Sequence, residues 1–248
     1  MSAAATLTRT VYDSIDSTNE EARRRHAAGH GLPQWIAAHR QEKGRGRQGR
    51  DWSSPVGNLS ATRLHLFQGT PPEAARLSFT VALAVAETVE TMAPDVPVKL
   101  KWPNDVLLAG KKVCGILLES FGPSDDGKLA IAIGIGINLA HHPDPTAANW
   151  PPTSIAAETG EVPAFDTALE LLARNLDTRL AATTDFASIR RDWLARAANL
   201  GKEIQVRLPN ETLHGRFADL DAEGALVLEG AGGQRRIAAG DVYFPGGA

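Results

Sequence analysis

Seven residues, Gly44-Arg45-Gly46-Arg47-Gln48-Gly49-Arg50, alternate glycine with arginine, and Trp52 follows just past them. Glycine lets a backbone turn through positive φ and approach a ligand closely. Arginine presents a planar fork that matches phosphate oxygens. A loop of this composition is suited to closing over a polyanion. Alone it serves a nucleotide, an RNA strand or an ordinary basic surface equally well. Its meaning depends on two later segments, Lys101-Trp102-Pro103-Asn104-Asp105 and Lys111-Lys112-Val113-Cys114-Gly115-Ile116-Leu117.

Ser17, Thr18, Asn19 and Gln41 add short hydroxyls and amides, which donate and accept hydrogen bonds without carrying charge. For Ser17 and Thr18, helix capping is a sufficient account. Ser17 with Glu20, or Thr18 with Glu21, fits a capping box that starts a helix ending at Gly29 or Gly31. His141-His142 beside Pro143 reads as a loop pair. Asn210-Glu211-Thr212 matches a glycosylation sequon in a chain with no sign of secretion. Gly134-x-Gly136 is not followed by the third glycine of a dinucleotide fingerprint.

The chain of 248 residues is 43% hydrophobic and 22% charged, with a formal net charge of -3. That composition supports a sizeable core. The acidic balance argues against DNA or RNA as the main partner. One cysteine, Cys114, excludes an intramolecular disulfide. The N-terminus shows no signal-peptide pattern, and the longest apolar stretch, Leu77 to Met92, is too polar to span a bilayer. A cytoplasmic location is expected.

The elements that must position these residues follow from periodicity. Trp35 to His39 and Leu59 to Leu66 read as strands, and Leu77 to Met92 as a helix packed between layers. Val98, Leu100 and Trp102 alternate with Lys99 and Lys101, a strand pattern. Val106 to Ala109 and Lys112 to Glu119 form a hairpin about Gly110-Lys111. In Leu129 to Asn138, Leu129 and four isoleucines share one face. Ala130, Ala132, Gly134, Gly136 and Asn138 share the other. The bare face suits either a closely packed helix or the floor of a ligand site. Phe165 to Leu180 and Phe186 to Ala198 read as helices. After Asn199-Leu200-Gly201 the pattern changes to short strands, Glu203 to Leu208, Thr212 to Asp221, Ala225 to Gly230 and Gln234 to Ala238.

Taken in order, these motifs resemble those of the biotin protein ligases over nearly the whole chain. The Gly/Arg loop together with Lys-Trp-Pro-Asn-Asp carries the resemblance, supported by Asp16-Ser17-Thr18-Asn19, Gln41, Trp52, Lys112 with Gly115-Ile116-Leu117, and Gly134-Ile135-Gly136-Ile137-Asn138. The resemblance implies an α+β fold. Residues 1–198 would form a mixed-sheet catalytic domain like that of class II aminoacyl-tRNA synthetases, and residues 199–248 a small β-barrel of the Src-homology-3 type. It implies ATP-dependent conversion of biotin to biotinyl-5'-adenylate, with Mg²⁺. Biotin would then pass to a lysine of a biotin carboxyl carrier domain of a carboxylase. The motif for the biotin pocket begins by Asp16, so a ligase-only form without a DNA-binding segment is expected, with no specific DNA and no membrane as partners.

The resemblance also implies roles. Lys112 and Arg47 would be catalytic, Lys112 as the fixed cation between the biotin carboxylate and the α-phosphate. Ser17, Thr18, Asn19, Gln41, Gly44, Arg45, Gly46, Arg47, Lys112, Gly115, Leu117 and Gly134 would hold biotin. Arg45, Arg47, Arg50, Trp52, Asn104, Lys112 and Asn138 would hold ATP or the adenylate. Arg50 has the alternative of pairing with Asp51 or a core carboxylate. Trp52 stacks on adenine or anchors packing. Asn104, Asp105 and Asn138 lie where the family handles nucleotide and metal, without a direct Mg²⁺ ligand being assigned among them. The Gly/Arg loop is expected to order over the adenylate. The rival reading is a lipoate or octanoate ligase or transferase of the same fold, with Cys114 on the face of Lys112 as a nucleophile. A non-enzymatic RNA-binding module is disfavoured by the net acidity.

Overall fold

A computed structural model describes residues 9–29, 34–124, 127–144, 150–182 and 185–244. The chain begins with β1 (Arg9–Tyr12), α1 (Thr18–Ala27), β2 (Gln34–Ala38) and β3 (Leu59–Phe67). The segments α2 (Pro71–Ala75) and α3 (Leu77–Met92) lead to the strands β4 (Val98–Lys101), β5 (Asp105–Leu108), β6 (Lys111–Pro123) and β7 (Leu129–Ile137). Helices α4 (Ile155–Thr159), α5 (Phe165–Ala182) and α6 (Phe186–Arg196) follow. The chain finishes with β8 (Glu203–Arg207), β9 (Thr212–Leu220), β10 (Leu226–Gly230), β11 (Gly233–Ile237) and β12 (Asp241–Tyr243).

The first seven strands form one mixed sheet in the order β1-β2-β3-β7-β6-β5-β4. Only β1 and β2 run parallel. The alternation of β7 sorts its two faces. Ile131, Ile133, Ile135 and Ile137 enter the main core with α3 and α5. Gly134 and Gly136 pair with Thr62 and Ser60 of β3 on the opposite face. That face receives side chains from α1 and from the loop before β3. A Cβ at Gly134 would lie 2.5 Å from Asn19 Oδ1 on α1, and one at Gly136 would lie 2.3 Å from Trp52 Nε1.

Helix α3 occupies the expected residues and is buried along most of its length, Leu77, Val81, Leu83 and Val85 included. Its polar interruptions have partners. Glu87 pairs with Arg179 of α5, and Glu90 with Arg196 of α6 at 3.1 Å.

The second sheet is antiparallel, in the order β11-β10-β9-β8-β12. Its inward residues, among them Ile204, Phe217, Leu226 and Val242, join the same apolar core as Trp193 and Phe79. Trp102 Nε1 donates to the Gly224 carbonyl at 3.1 Å, and the Phe79 ring sits edge-on to Trp193 at 5.6 Å. The small sheet is thus docked on the large one through a shared core.

Four features depart from the sequence reading. The capping box at Ser17 or Thr18 does not form. Ser17 is the N-cap of α1 without a side-chain cap. Thr18 turns instead to Gln41, Glu20 to Arg45, and Glu21 to Tyr12, Arg24 and Arg25. A capping box occurs at Thr70 and Glu73, where α2 begins. Trp102 lies past the end of β4. Strands β1 and β12 and helices α2 and α4 carry too little periodic pattern to be legible at three to five residues each.

Candidate active site

The bare face of β7, with Gly115 and Leu117 of β6 beside it, floors a cleft of about 510 Å³. Each wall comes from a different element: the start of α1, the Gly/Arg loop, the turn after β4, the start of β6, and Asp241 and Tyr243 of β12.

One end is neutral and polar. Gln41 accepts from the Thr18 N–H at 2.8 Å and from its hydroxyl at 3.0 Å, and donates to Ser54 Oγ at 3.0 Å. Thr62 donates to Asn19 Oδ1 at 2.6 Å. Ser17, Thr18 and Asn19 are all buried. Leu117 lies opposite Gly134 and Gly115 opposite Gly136 across the β6–β7 pair, so three glycines leave Leu117 as the large side chain on this stretch of the strands. Thr62 and Ser54 were not singled out from sequence. The signal was present in β3, where Ser60 and Thr62 alternate with the apolar Leu59 and Ala61 and face the glycines of β7.

Trp52 sits in the middle. Its ring covers Gly115 and Gly136, where added Cβ atoms would lie 2.9 and 2.3 Å away. The structure therefore gives Trp52 a packing role on the floor, while one edge lines the cleft. Gly44 does not line the cleft. It backs the tryptophan: its carbonyl accepts from the Trp52 N–H at 2.9 Å, and a Cβ there would strike the Trp52 carbonyl at 2.4 Å.

The other end is cationic. Lys112 Nζ lies 2.6 Å from Asp105 Oδ1, and Lys101 Nζ lies 3.2 Å from Oδ2. Burial works to raise the Asp105 carboxyl, and the two ammonium groups outweigh it and hold it at about 2. Burial pulls Lys101 downward, against the pull of Asp105. Two lysines share one carboxylate, so this end carries net positive charge. The Lys112 ammonium also sits 5.6 Å from the centre of the Trp52 ring, and the Lys101 ammonium 5.0 Å from that of Trp150.

A β-bulge aims Lys112. The β5–β6 register shifts so that Leu107 faces Lys112 while Val106 faces Cys114. Val113 takes the extra place and enters the core, as does Cys114. Gly115 returns to the cleft face. Lys112 and Cys114 consequently do not share a face, contrary to strict alternation. Cys114 is 0% exposed, and burial pushes its thiol far above the ordinary range. Lys111 turns away to Glu158 at 3.0 Å.

The Gly/Arg loop forms a tight hairpin. The Gly46 N–H donates to the Arg50 carbonyl at 2.7 Å, and Gln48 and Gly49 have φ of 58° and 72°. The three arginines go to different partners. Arg45 pairs with Glu20 and Glu119. Arg47 donates to Asn104 Oδ1 at 3.2 Å. Arg50 reaches Asp241 of the small sheet at 3.2 Å, rather than Asp51 or a core carboxylate. Asn104 donates to the Ile116 carbonyl at 2.5 Å, and Asn138 donates to the Thr153 carbonyl at 2.9 Å. Asn138 thus lines the cleft while its amide serves the scaffold. Among the described residues no group of three His, Cys, Asp or Glu forms a metal cluster, His141 and His142 included.

The cleft thus joins a neutral polar pocket to a pair of cations beneath an arginine loop. Residues 11–138 match the family model of the Biotin/lipoate A/B protein ligase family, and residues 200–244 that of the Biotin protein ligase C terminal domain. The chain belongs to the Biotin/lipoate A/B protein ligase family. It is 44% identical to the Biotin--[acetyl-CoA-carboxylase] ligase of Paracoccus denitrificans, over 93% of this chain and 98% of that one. It is 31% identical to the Bifunctional ligase/repressor BirA of Bacillus subtilis, over 93% of this chain and 72% of that one. Among solved structures it is similar to the biotin protein ligase from Aquifex aeolicus in complex with biotin and ATP. That match has a TM-score of 0.78 and 26% identity, over 95% and 97% of the two chains.

Proposed function

We infer that this chain is an ATP-dependent biotin–protein ligase. It converts biotin to biotinyl-5'-adenylate and transfers the biotin to a lysine of a biotin carboxyl carrier domain of a carboxylase. One observation carries the reading: a single cleft joins an uncharged donor–acceptor pocket to the Lys112–Asp105–Lys101 cluster and the arginine loop. A ureido ring needs both donors and acceptors, and a triphosphate needs fixed cations. The family and the full-length similarity to the Paracoccus ligase point the same way.

In the first step a biotin carboxylate oxygen attacks the α-phosphorus and pyrophosphate leaves. Two anions must meet, and Lys112 offsets their repulsion and the charge of the transition state. In the second step the carrier lysine amine attacks the mixed-anhydride carbonyl, AMP leaves, and the new amide loses a proton. We assign Ser17, Thr18, Asn19, Gln41, Gly115, Leu117 and Gly134 to the biotin ring, and Arg45, Arg47 and Lys112 to the junction with phosphate. Asn104, Arg50 and Trp52 belong to the adenylate side, with Arg50 acting through the small sheet. Both Asp105 oxygens already hold lysines and Asp241 pairs with Arg50, and among the described residues no acidic cluster forms a cage for Mg²⁺. The ion fits as one carried in on the phosphates of ATP. We place the boundary of the catalytic region at residue 198 and assign 199–248 to the C-terminal unit, a division supported by the change from helices to short strands. No helix among the described residues is long and apolar enough to cross a membrane. We propose the cytoplasm as its compartment.

The test is pyrophosphate release with ATP, Mg²⁺ and either biotin or lipoate. Release with biotin and little with lipoate is expected. Equal release with both would defeat the biotin assignment. Insensitivity to thiol reagents is expected from the burial of Cys114, and separates this reading from acyl transfer through a cysteine.

A further inference from the structure

Glu119 stands outside the cleft on β6, yet it touches both the ring pocket and the arginine loop. It accepts from Asn19 Nδ2 at 2.7 Å. Arg45 Nη2 lies 3.3 Å from its Oε1 and 3.4 Å from its Oε2. Arg45 is held from the other side by Glu20. Arg23 comes no nearer to Glu119 than 4.0 Å.

An ionised carboxylate only accepts hydrogen bonds. The Glu119 contact therefore fixes the Asn19 amide, with nitrogen toward Glu119 and oxygen toward Thr62. Thr62 must then give its one proton to Asn19 Oδ1. The 2.8 Å contact between the Thr62 and Thr18 hydroxyls then takes the single Thr18 hydroxyl proton, shared with Gln41 Oε1 at 3.0 Å, which the Thr18 N–H already satisfies at 2.8 Å. At the far end Gln41 donates to Ser54, so its oxygen is the acceptor for Thr18. Donor and acceptor directions at Asn19, Thr62 and Thr18 are thus set by one charged group at the edge of the pocket, while the Thr18 backbone N–H orients Gln41 independently. Were that group a neutral amide, Asn19 could present either end.

We propose that Glu119 is a positioning residue that couples recognition of the biotin ring to the placement of Arg45 in the loop. This rests on the ligase reading above. One carboxylate orients the ring-binding amide and tethers the loop arginine, so the two halves of the substrate site share an anchor. The Arg45 tether requires its charge, and the contact to Asn19 requires both its charge and its reach.

Three variants separate these functions: Glu119→Gln, of the same shape without charge, Glu119→Ala, and Glu119→Asp. The measurements are KM for biotin, KM for ATP and kcat in pyrophosphate release, with tryptic cleavage after Arg45, Arg47 and Arg50 in the ligand-free protein. Losing a charge-assisted hydrogen bond corresponds to about a tenfold or greater effect. Glu119→Gln should raise the biotin KM by about that factor and speed loop cleavage several-fold, with any change in ATP KM following the freed Arg45. Glu119→Asp keeps the charge near Arg45 but falls short of Asn19. It should raise the biotin KM without speeding cleavage. A biotin KM within twofold of wild type in both Gln and Ala variants would overturn the proposal. An increase in biotin KM with unchanged loop cleavage in both would overturn the coupling. A fall in melting temperature with a matching loss of kcat alone would make Glu119 merely structural. Wild-type protein that releases no biotin-dependent pyrophosphate would instead overturn the ligase reading itself.

Discussion

Lys112 and Asp105 meet at 2.6 Å across a β-bulge, and the bulge is what turns Lys112 into the cleft while Cys114 stays in the core. Asp105 holds the ammonium in place before any substrate arrives, and Lys101 balances the carboxylate from the other side at 3.2 Å. A cation fixed in advance costs no reorganisation when the two anions meet.

Lys112→Ala should therefore cut adenylate formation by about 10²–10³-fold with the fold intact, the scale of losing one preorganised charge-stabilising group. Lys111→Ala should stay within about twofold, since its partner is Glu158 on the outer side. Pyrophosphate release and circular dichroism on both variants check this. Near-normal turnover of folded Lys112→Ala would remove the catalytic assignment.

Asp105 gives a pH signature. Its carboxyl is depressed from 3.8 to about 2, so its contribution to stability is complete above about pH 4 and is lost as pH falls through about 2. Asp105→Asn should flatten that part of the acid unfolding curve. At neutral pH the same change leaves two buried or half-buried lysines without their anion, and a loss of about 3–5 kcal/mol is expected. Denaturant melts of both proteins from pH 7 to pH 2 measure the difference. Parallel curves across pH 4 to 2 would contradict the depressed value.

Gly136→Ala should damage the site more than the fold. The new methyl would sit 2.3 Å from Trp52 Nε1, so the indole must leave the floor. Overpacking of this kind costs about 1–3 kcal/mol. The displaced ring intrudes on the cleft, and biotin binding should weaken by about tenfold or more, the equivalent of 1.4 kcal/mol. Calorimetry with biotin, alongside a thermal melt, tests it; unchanged affinity would show that the tryptophan is not fixed there.

Arg47→Gly should let the adenylate escape. Arg47 donates to Asn104 at 3.2 Å, a contact that ties the loop to the turn after β4. A charge-assisted hydrogen bond of roughly 1.5–3 kcal/mol corresponds to about a ten- to hundredfold faster release if the effect falls on the off-rate. Free adenylate acylates exposed lysines. Biotin on an added bystander protein, with adenylate synthesis matched, is the readout. Equal labelling by wild type and variant would deny Arg47 the role of holding the intermediate.

Much of the site was legible because its residue types are locally unusual. Arginine alternating with glycine, and isoleucine alternating with alanine and glycine, leave a periodic record in the chain. So do the helix Leu77–Met92 and the change to short strands after Gly201. Other features depend on partners distant in sequence. The competing pull of Gln41 on Thr18, 23 residues away, displaced the capping box. Glu119 acquires its place only when β6 lies beside α1, 100 residues from Asn19. Arg50 meets Asp241 across 191 residues because the small sheet docks on the shared core. The amino-acid order by itself determined which chemistry the chain carries, since that follows from side-chain types at short spacing. Which charges face one another, and which side of β6 Lys112 takes, were decided by strand register and packing. Those are properties of the folded chain, where a one-residue bulge reverses the face of a side chain.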